Sequence, residues 1–268
     1  MKLVESFICL VICLLFVHCE GEQIKSNLGG RHSQYVSKNQ SLINPYITDG
    51  LIAMWDGEWN AGLGIHDEAP AIWLDCISGQ ALIFGTDVGV IGNSFENLTK
   101  DDTSKNTPAV LTMENSELTY HLMSIGYFTI EICEDATSVQ SYYVWNSPLI
   151  RLTNKDSIST SYGSAIFIQQ YYNRFLSYGI FGNASFYQAF DLHSFSFCVN
   201  NSELESLVYK NGARARVGSI PQITAFTAIP LKVGITNKMY CIRIYDRVLS
   251  ANEVHHNYLI DKRRFDLP

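Results

Sequence analysis

Short apolar runs separated by turn-forming residues dominate this chain. From Leu51 onward, segments rich in Val, Ile, Thr, Tyr and Phe alternate with clusters of Gly, Asn, Asp and Pro, the pattern of strands joined by tight connections. The expected strands are Leu51–Trp55, Ala81–Phe84, Val110–Met113, Leu118–Leu122, Phe128–Cys133, Tyr142–Trp145, Ala165–Gln169 and Leu176–Phe181. They continue with Phe186–Phe190, Ser194–Val199, Leu207–Lys210, Leu231–Gly234 and Tyr240–Tyr245. No helical pattern separates them, which argues for antiparallel sheets stacked face to face and against a parallel α/β sheet.

The end of the chain is the most sharply written part. Tyr240, Ile242 and Ile244 recur at period two, with Cys241, Arg243 and Tyr245 on the opposite face, as in a half-buried strand. A helix start follows at once. Ser250 and Glu253 have the spacing of a capping box, in which side chains at N-cap and N3 each satisfy a backbone N–H left open by the helix start. Leu249 and Val254 flank them as a hydrophobic staple. Lys262, Arg263 and Arg264 fall where the negative end of that helix would lie, or form a solvated charge run. Earlier, Asn211-Gly212 is the dipeptide that tolerates positive φ at both centres of a type I′ hairpin turn.

Organisation follows from composition shifts. Residues 1–19 carry Lys2 ahead of an eleven-residue apolar run, Phe7 to Val17, too short for the roughly 20 residues of a bilayer span. Export is therefore expected, either as a cleaved signal peptide or as a lipoprotein leader in which Cys19 is lipidated. The expected location is secreted or cell-surface, with membrane anchoring only through Cys19. Residues 20–45 are polar and without sustained period, reading as a flexible N-terminal arm, and residues 46–268 as one packed domain. The formal charge of −7 comes without a basic stripe, so nucleic acid is not expected as a partner. Four cysteines remain beyond the leader, Cys76, Cys133, Cys198 and Cys241. They lack zinc-site spacing, and either form two disulfides in any of three connectivities or pack as buried thiols. Twelve of the thirty-six residues from Tyr162 to Phe197 are aromatic. Pairs such as Phe195 and Phe197 suit a sandwich core, while Tyr171, Tyr172 and Tyr178 would suit stacking on sugar rings if exposed.

Three islands in order carry a family resemblance. Residues 49–79, DGLIAMWDGEWNAGLGIHDEAPAIWLDCISG, residues 205–212, ESLVYKNG, and residues 243–254, RIYDRVLSANEV, resemble the opening, the hairpin and the closure of laminin-G-like, concanavalin A-like jelly-roll domains of secreted bacterial proteins. The fold this implies is all-β: a two-sheet antiparallel jelly-roll sandwich with a short C-terminal helix. The function implied is binding of a glycan or glycoprotein through rim loops, for which Trp55, Trp59, Asn60, His66 and Tyr172 are the candidate ligand-binding residues. Some members hold calcium at a loop rim, and Asp56 and Asp67 are the candidate ligands here. Hard cations need several such oxygens, but the same short side chains also cap turns.

The resemblance extends to glucanases, whose paired acids lie on one strand as E-x-D-x-E because alternate residues share a face. This chain has no such match. Glu131 and Glu134 in EICED have odd spacing and point to opposite faces, and Glu203 and Glu205 precede a turn. The expectation is a protein that is not an enzyme, whose alternatives are a structural or adhesion protein that binds a partner protein and a divergent glycoside hydrolase. His255 and His256 are adjacent on a helix and diverge, and zinc is not expected.

Overall fold

The computed structural model describes residues 43, 45–59, 72–99, 109–135, 148–153, 167–171, 174–178, 184–187, 192–219, 228–235 and 237–268. Their strands form two antiparallel sheets of eight. In the first, β14 (Ala213–Ser219), β13 (Glu205–Lys210), β12 (Leu192–Asn200), β7 (Tyr127–Asp135), β16 (Lys238–Tyr245), β5 (Ser94–Asn97) and β4 (Val88–Ile91) lie side by side. A further strand, β1 (Leu51–Asp56), pairs with β16 beyond the end of β5. The second sheet runs β11 (Ala184–Tyr187), β10 (Arg174–Tyr178), β9 (Phe167–Tyr171), β8 (Pro148–Thr153), β15 (Ala228–Ile235), β6 (Ala109–Met113), β3 (Ala81–Phe84) and β2 (Ile72–Leu74). This is the all-β sandwich that the sequence pattern predicts. The expected strand Tyr142–Trp145 lies outside the described residues.

The sheets meet through their apolar parity. Phe128, Ile130 and Ile132 of β7, Phe195, Phe197 and Val199 of β12, and Ile242 and Ile244 of β16 pack against Leu111 and Met113 of β6, Ile150 and Leu152 of β8, and Leu231, Val233 and Ile235 of β15. Each such aliphatic or aromatic side chain contributes about 1.5–3 kcal/mol when fully buried. The core reading of Phe195 and Phe197 therefore holds.

An irregularity sets the phase of β16. Its register shifts between Met239 and Cys241, so Met239, Ile242 and Ile244 all belong to the inter-sheet core although their parities differ. Tyr240 is displaced from the face expected for it. Its ring packs on Phe265, with centroids 5.0 Å apart, on the other side of the sheet.

That other side is not solvent. Helix α2 (Ala251–Phe265) lies across it, started by the complete capping box: the Ser250 side chain accepts from the Glu253 N–H, and the Glu253 carboxylate accepts from the Ser250 N–H. Val254, Leu249, Ile260 and Tyr46 join Met54, Cys198 and Tyr245 in a second apolar cluster, which also buries Ile43. The Asn211-Gly212 turn has φ of 50° and 71°, as its sequence demands, and tucks beneath α2. A Cβ on Gly212 would come within 2.8 Å of both His255 and Tyr258.

One expected strand is a helix. Residues Leu118–Leu122 lie in α1 (Glu117–Ile125), which ends on Gly126 in the left-handed region with its N–H on the Leu122 carbonyl. Leu118, Leu122 and Met123 make a helical stripe against the core, whereas Tyr120, which a strand would bury with its alternate neighbours, is exposed.

Candidate functional site

Two buried polar centres stand on opposite faces of the first sheet, and β7 contributes one carboxylate to each. On the outer face Glu131 meets Arg243, both fully buried. The Arg243 Nε donates to Glu131 at 2.9 Å and its Nη1 to Asp261 at 2.8 Å. Glu131 also accepts from the Ser196 hydroxyl at 3.0 Å and the Asn257 amide at 2.8 Å. The Tyr46 hydroxyl donates to Asp261 at 2.9 Å and its ring lies under the Arg243 guanidinium. Arg264 donates to the Tyr46 oxygen at 2.8 Å and continues to Asp56 at 2.7 and 3.0 Å and to Glu58 at 3.0 Å. Burial pushes the Glu131 and Asp56 carboxyls up, with Arg243 and Arg264 respectively pulling them back down. The chain of ion pairs bolts α2 to β1, β7 and β16. Its acceptors are occupied, which suits a scaffold and leaves little for a ligand.

On the inter-sheet face, Glu134 continues the parity of Phe128, Ile130 and Ile132. Its Oε1 lies 3.1 Å from His193 Nε2, and both side chains are fully shielded from solvent. The Phe195 ring meets the imidazole edge-on at 6.4 Å. Among the described residues the second oxygen of Glu134 is buried with no hydrogen-bond partner, as is the Asn237 side-chain oxygen. Register places His193 opposite Glu134 at one end of the sheet; Lys238, opposite both Asp135 and Glu96, holds its ammonium 3.0 Å from Glu96 on the other face, since Phe95 and Met239 beside them point into the inter-sheet core. Sequence reasoning missed His193, Asn237, Lys238 and Glu96. The available signal was a titratable side chain on the apolar parity of a strand, which singles out His193 before Phe195 and Phe197, and Glu134 after Ile132.

The residues singled out from sequence fare differently. Trp55 is corrected: its ring is buried in the inter-sheet core and offers no stacking face. Asp56 is corrected as a calcium ligand, because its oxygens serve Arg264 and the Glu58 and Trp59 N–H groups at 3.1 and 3.2 Å. This is the turn-capping role, with a partly buried ion pair added. Trp59 is 36% exposed and its ring remains accessible. Asn60, His66, Asp67, Tyr172 and Cys19 lie outside the described residues. Among the described residues no group of three or more His, Cys, Asp and Glu side chains is placed to hold a metal ion.

The motif residues of the opening island have physical work inside the fold. Trp73 Nε1 donates to the Asp56 carbonyl at 2.9 Å and its ring stacks on Phe95. Asp75, buried, accepts from the N–H groups of Met54, Ile77 and Ser78, holding the turn before Gly79 against β1.

No family model matches this chain, and no curated protein does. Solved structures do resemble it. Trypanosoma rangeli sialidase in complex with sialic acid superposes with a TM-score of 0.60 at 10% identity, over 85% of this chain and 38% of that one. The same organism's sialidase with 2,3-difluorosialic acid, a covalent intermediate, gives 0.57 at 10% identity over 88% and 38%. The receptor-binding domain of botulinum neurotoxin type G gives 0.50 at 16% identity over 80% and 52%. The chain thus spans under two fifths of the sialidase chains and about half of the neurotoxin domain. The class these likenesses define is the antiparallel β-sandwich.

They also overturn one expectation, that the protein is not an enzyme. Sialidases are glycoside hydrolases, and they depart from the paired-carboxylate scheme by using a tyrosine nucleophile. The missing acid pair therefore excludes nothing.

Proposed function

We propose that this chain is an exported, laminin-G-like β-sandwich domain that binds carbohydrate, free or carried on a glycoprotein, at the sheet end marked by Glu134 and His193. One observation carries the reading: a buried carboxylate with one oxygen on a histidine and the other without a partner among the described residues. A buried acceptor left open costs about 1–3 kcal/mol, and a ligand hydroxyl or amide N–H would relieve that cost. Sugars are dense in such donors. Fold alone does not assign a ligand, but the likeness to a sialidase solved with sialic acid and to a neurotoxin receptor-binding domain supports this class. Trp59 supplies an accessible aromatic face for a sugar ring. The leader supports export, with Cys19 as the anchor if it is lipidated.

A glycan array carrying neutral and sialylated oligosaccharides, followed by calorimetry on the hits, tests the reading. Binding that weakens at least tenfold in Glu134→Gln is the expected result. Silence across the array, with calcium and after chelation, overturns it. N-terminal sequencing and lipid labelling of the exported protein decide between a free chain and one anchored at Cys19.

A further inference from the structure

Cys133 and Cys241 face each other across the ladder between β7 and β16. Directly opposed residues of antiparallel strands lie about 4.5–5.5 Å apart at Cα, inside the roughly 4.4–6.8 Å that disulfides span. Both side chains leave the sheet on its outer face, into the cluster of Tyr258, Phe265 and Leu267 beneath α2. The sulfurs are neighbours there: burial raises the Cys133 thiol most, and hydrogen bonding to Cys241 raises it further. Arg243 Nη1 donates to the Cys241 sulfur at 3.3 Å, placing a fixed positive charge beside it. Cys76 and Cys198 belong to the other cluster under α2. The Cys198 thiol is held by the Thr129 hydroxyl at 3.4 Å and pushed up to about 12 by burial. All four are thiols in this structure.

We propose that Cys133 and Cys241 are a disulfide-forming pair, oxidised by exchange with a small-molecule or protein disulfide while α2 is undocked, and that Cys76 and Cys198 remain thiols. The thiolate of one cysteine attacks the donor disulfide, forming a mixed disulfide and releasing one donor thiolate. The second cysteine thiolate then attacks the protein sulfur of that mixed bond and expels the other donor thiolate. The protein loses two electrons and two protons, and the donor disulfide becomes two thiols. Docked α2 shields both sulfurs, so the bridge forms during folding, or whenever the helix lifts.

The test uses the full chain, refolded in a glutathione and glutathione-disulfide buffer, then denatured, alkylated and mapped by mass spectrometry without reduction. The expected map joins the peptide containing Cys133 to that containing Cys241, at the mass of two hydrogens lost, with Cys76 and Cys198 alkylated. Alkylation of all four, or a link that involves Cys76, Cys198 or the leader cysteines Cys9, Cys13 and Cys19, overturns the proposal. Cys133→Ser abolishes the link, whereas Cys76→Ser leaves it intact. Starting from native reduced protein, Phe265→Ala, which loosens the helix over the pair, accelerates the link several-fold; an unchanged rate overturns the role given to α2.

Discussion

Glu131 and Glu134 lie three residues apart on one strand, both fully buried, and the fold surrounds them in opposite ways. Glu131 faces α2 and has Arg243, Ser196 and Asn257 for partners. Glu134 faces the partner sheet and, among the described residues, has His193 on one oxygen and no hydrogen-bond partner on the other. A buried charge is tolerated when its pairing is complete and is expensive when it is not. The outer centre is thus a joint between elements. The inner one carries a cost that the fold alone does not recover, and such costs gather where a molecule acts on something else.

The sharpest break of this comparison is Arg243→Ala. It leaves Glu131 and Asp261 without their cation, and removal of one partner of a buried pair costs about 3–5 kcal/mol. Urea unfolding should show a loss of that order or an unfolded chain; a loss under 1 kcal/mol would mean that the joint contributes no more than a surface pair. Ser250→Ala should cost about 1 kcal/mol, read as a lower melting temperature, because it removes one half of the capping box. Glu134→Gln should change stability by less than about 1 kcal/mol while weakening glycan binding, and a stability loss equal to that of Arg243→Ala would mean that the two centres do not differ in kind. The smallest effect is a pH dependence. Arg247 and the Ser250 N–H hold the Glu253 carboxyl down at about 2 from its ordinary 4.5, so its contribution is complete above 4.5 and drains as pH falls toward 2. The melting temperature of Glu253→Gln should match the wild type at the acid end of that window and fall below it at the neutral end.

Where local chemistry decides the structure, the sequence was a good guide. The capping box at Ser250, the Asn211-Gly212 hairpin and the apolar alternation of β7 and β12 appear in the structure as expected, since each is settled by a few adjacent residues. Failures came where distance matters. At α1 both periods fitted Leu118 and Leu122, and only packing against the core selects the helix. On β16 the alternation was right but the bulge moved Tyr240 to the other side. Trp55 and Asp56 carry no local mark of burial, because the partner sheet covers the one and Arg264 of the helix, some two hundred residues later, covers the other. The paired partners of Arg243 and Arg264 are likewise set by tertiary contact, so a terminal basic run gives no hint that Arg264 is a partly buried bolt. Of the inner centre, an acidic cluster marks Glu134, whereas His193 is marked only by its place on the apolar parity of β12.

The extra residue between Met239 and Cys241 has a reach beyond its own turn of chain. Downstream of it, side chains alternate in a fixed order, with aliphatics inward and Arg243 outward. Deleting one residue there would rotate the whole remaining strand by half a step. The guanidinium would then enter the oily interior, and two isoleucines would confront Glu131 and Asp261. A single codon thus sets the orientation of everything that anchors the terminal helix.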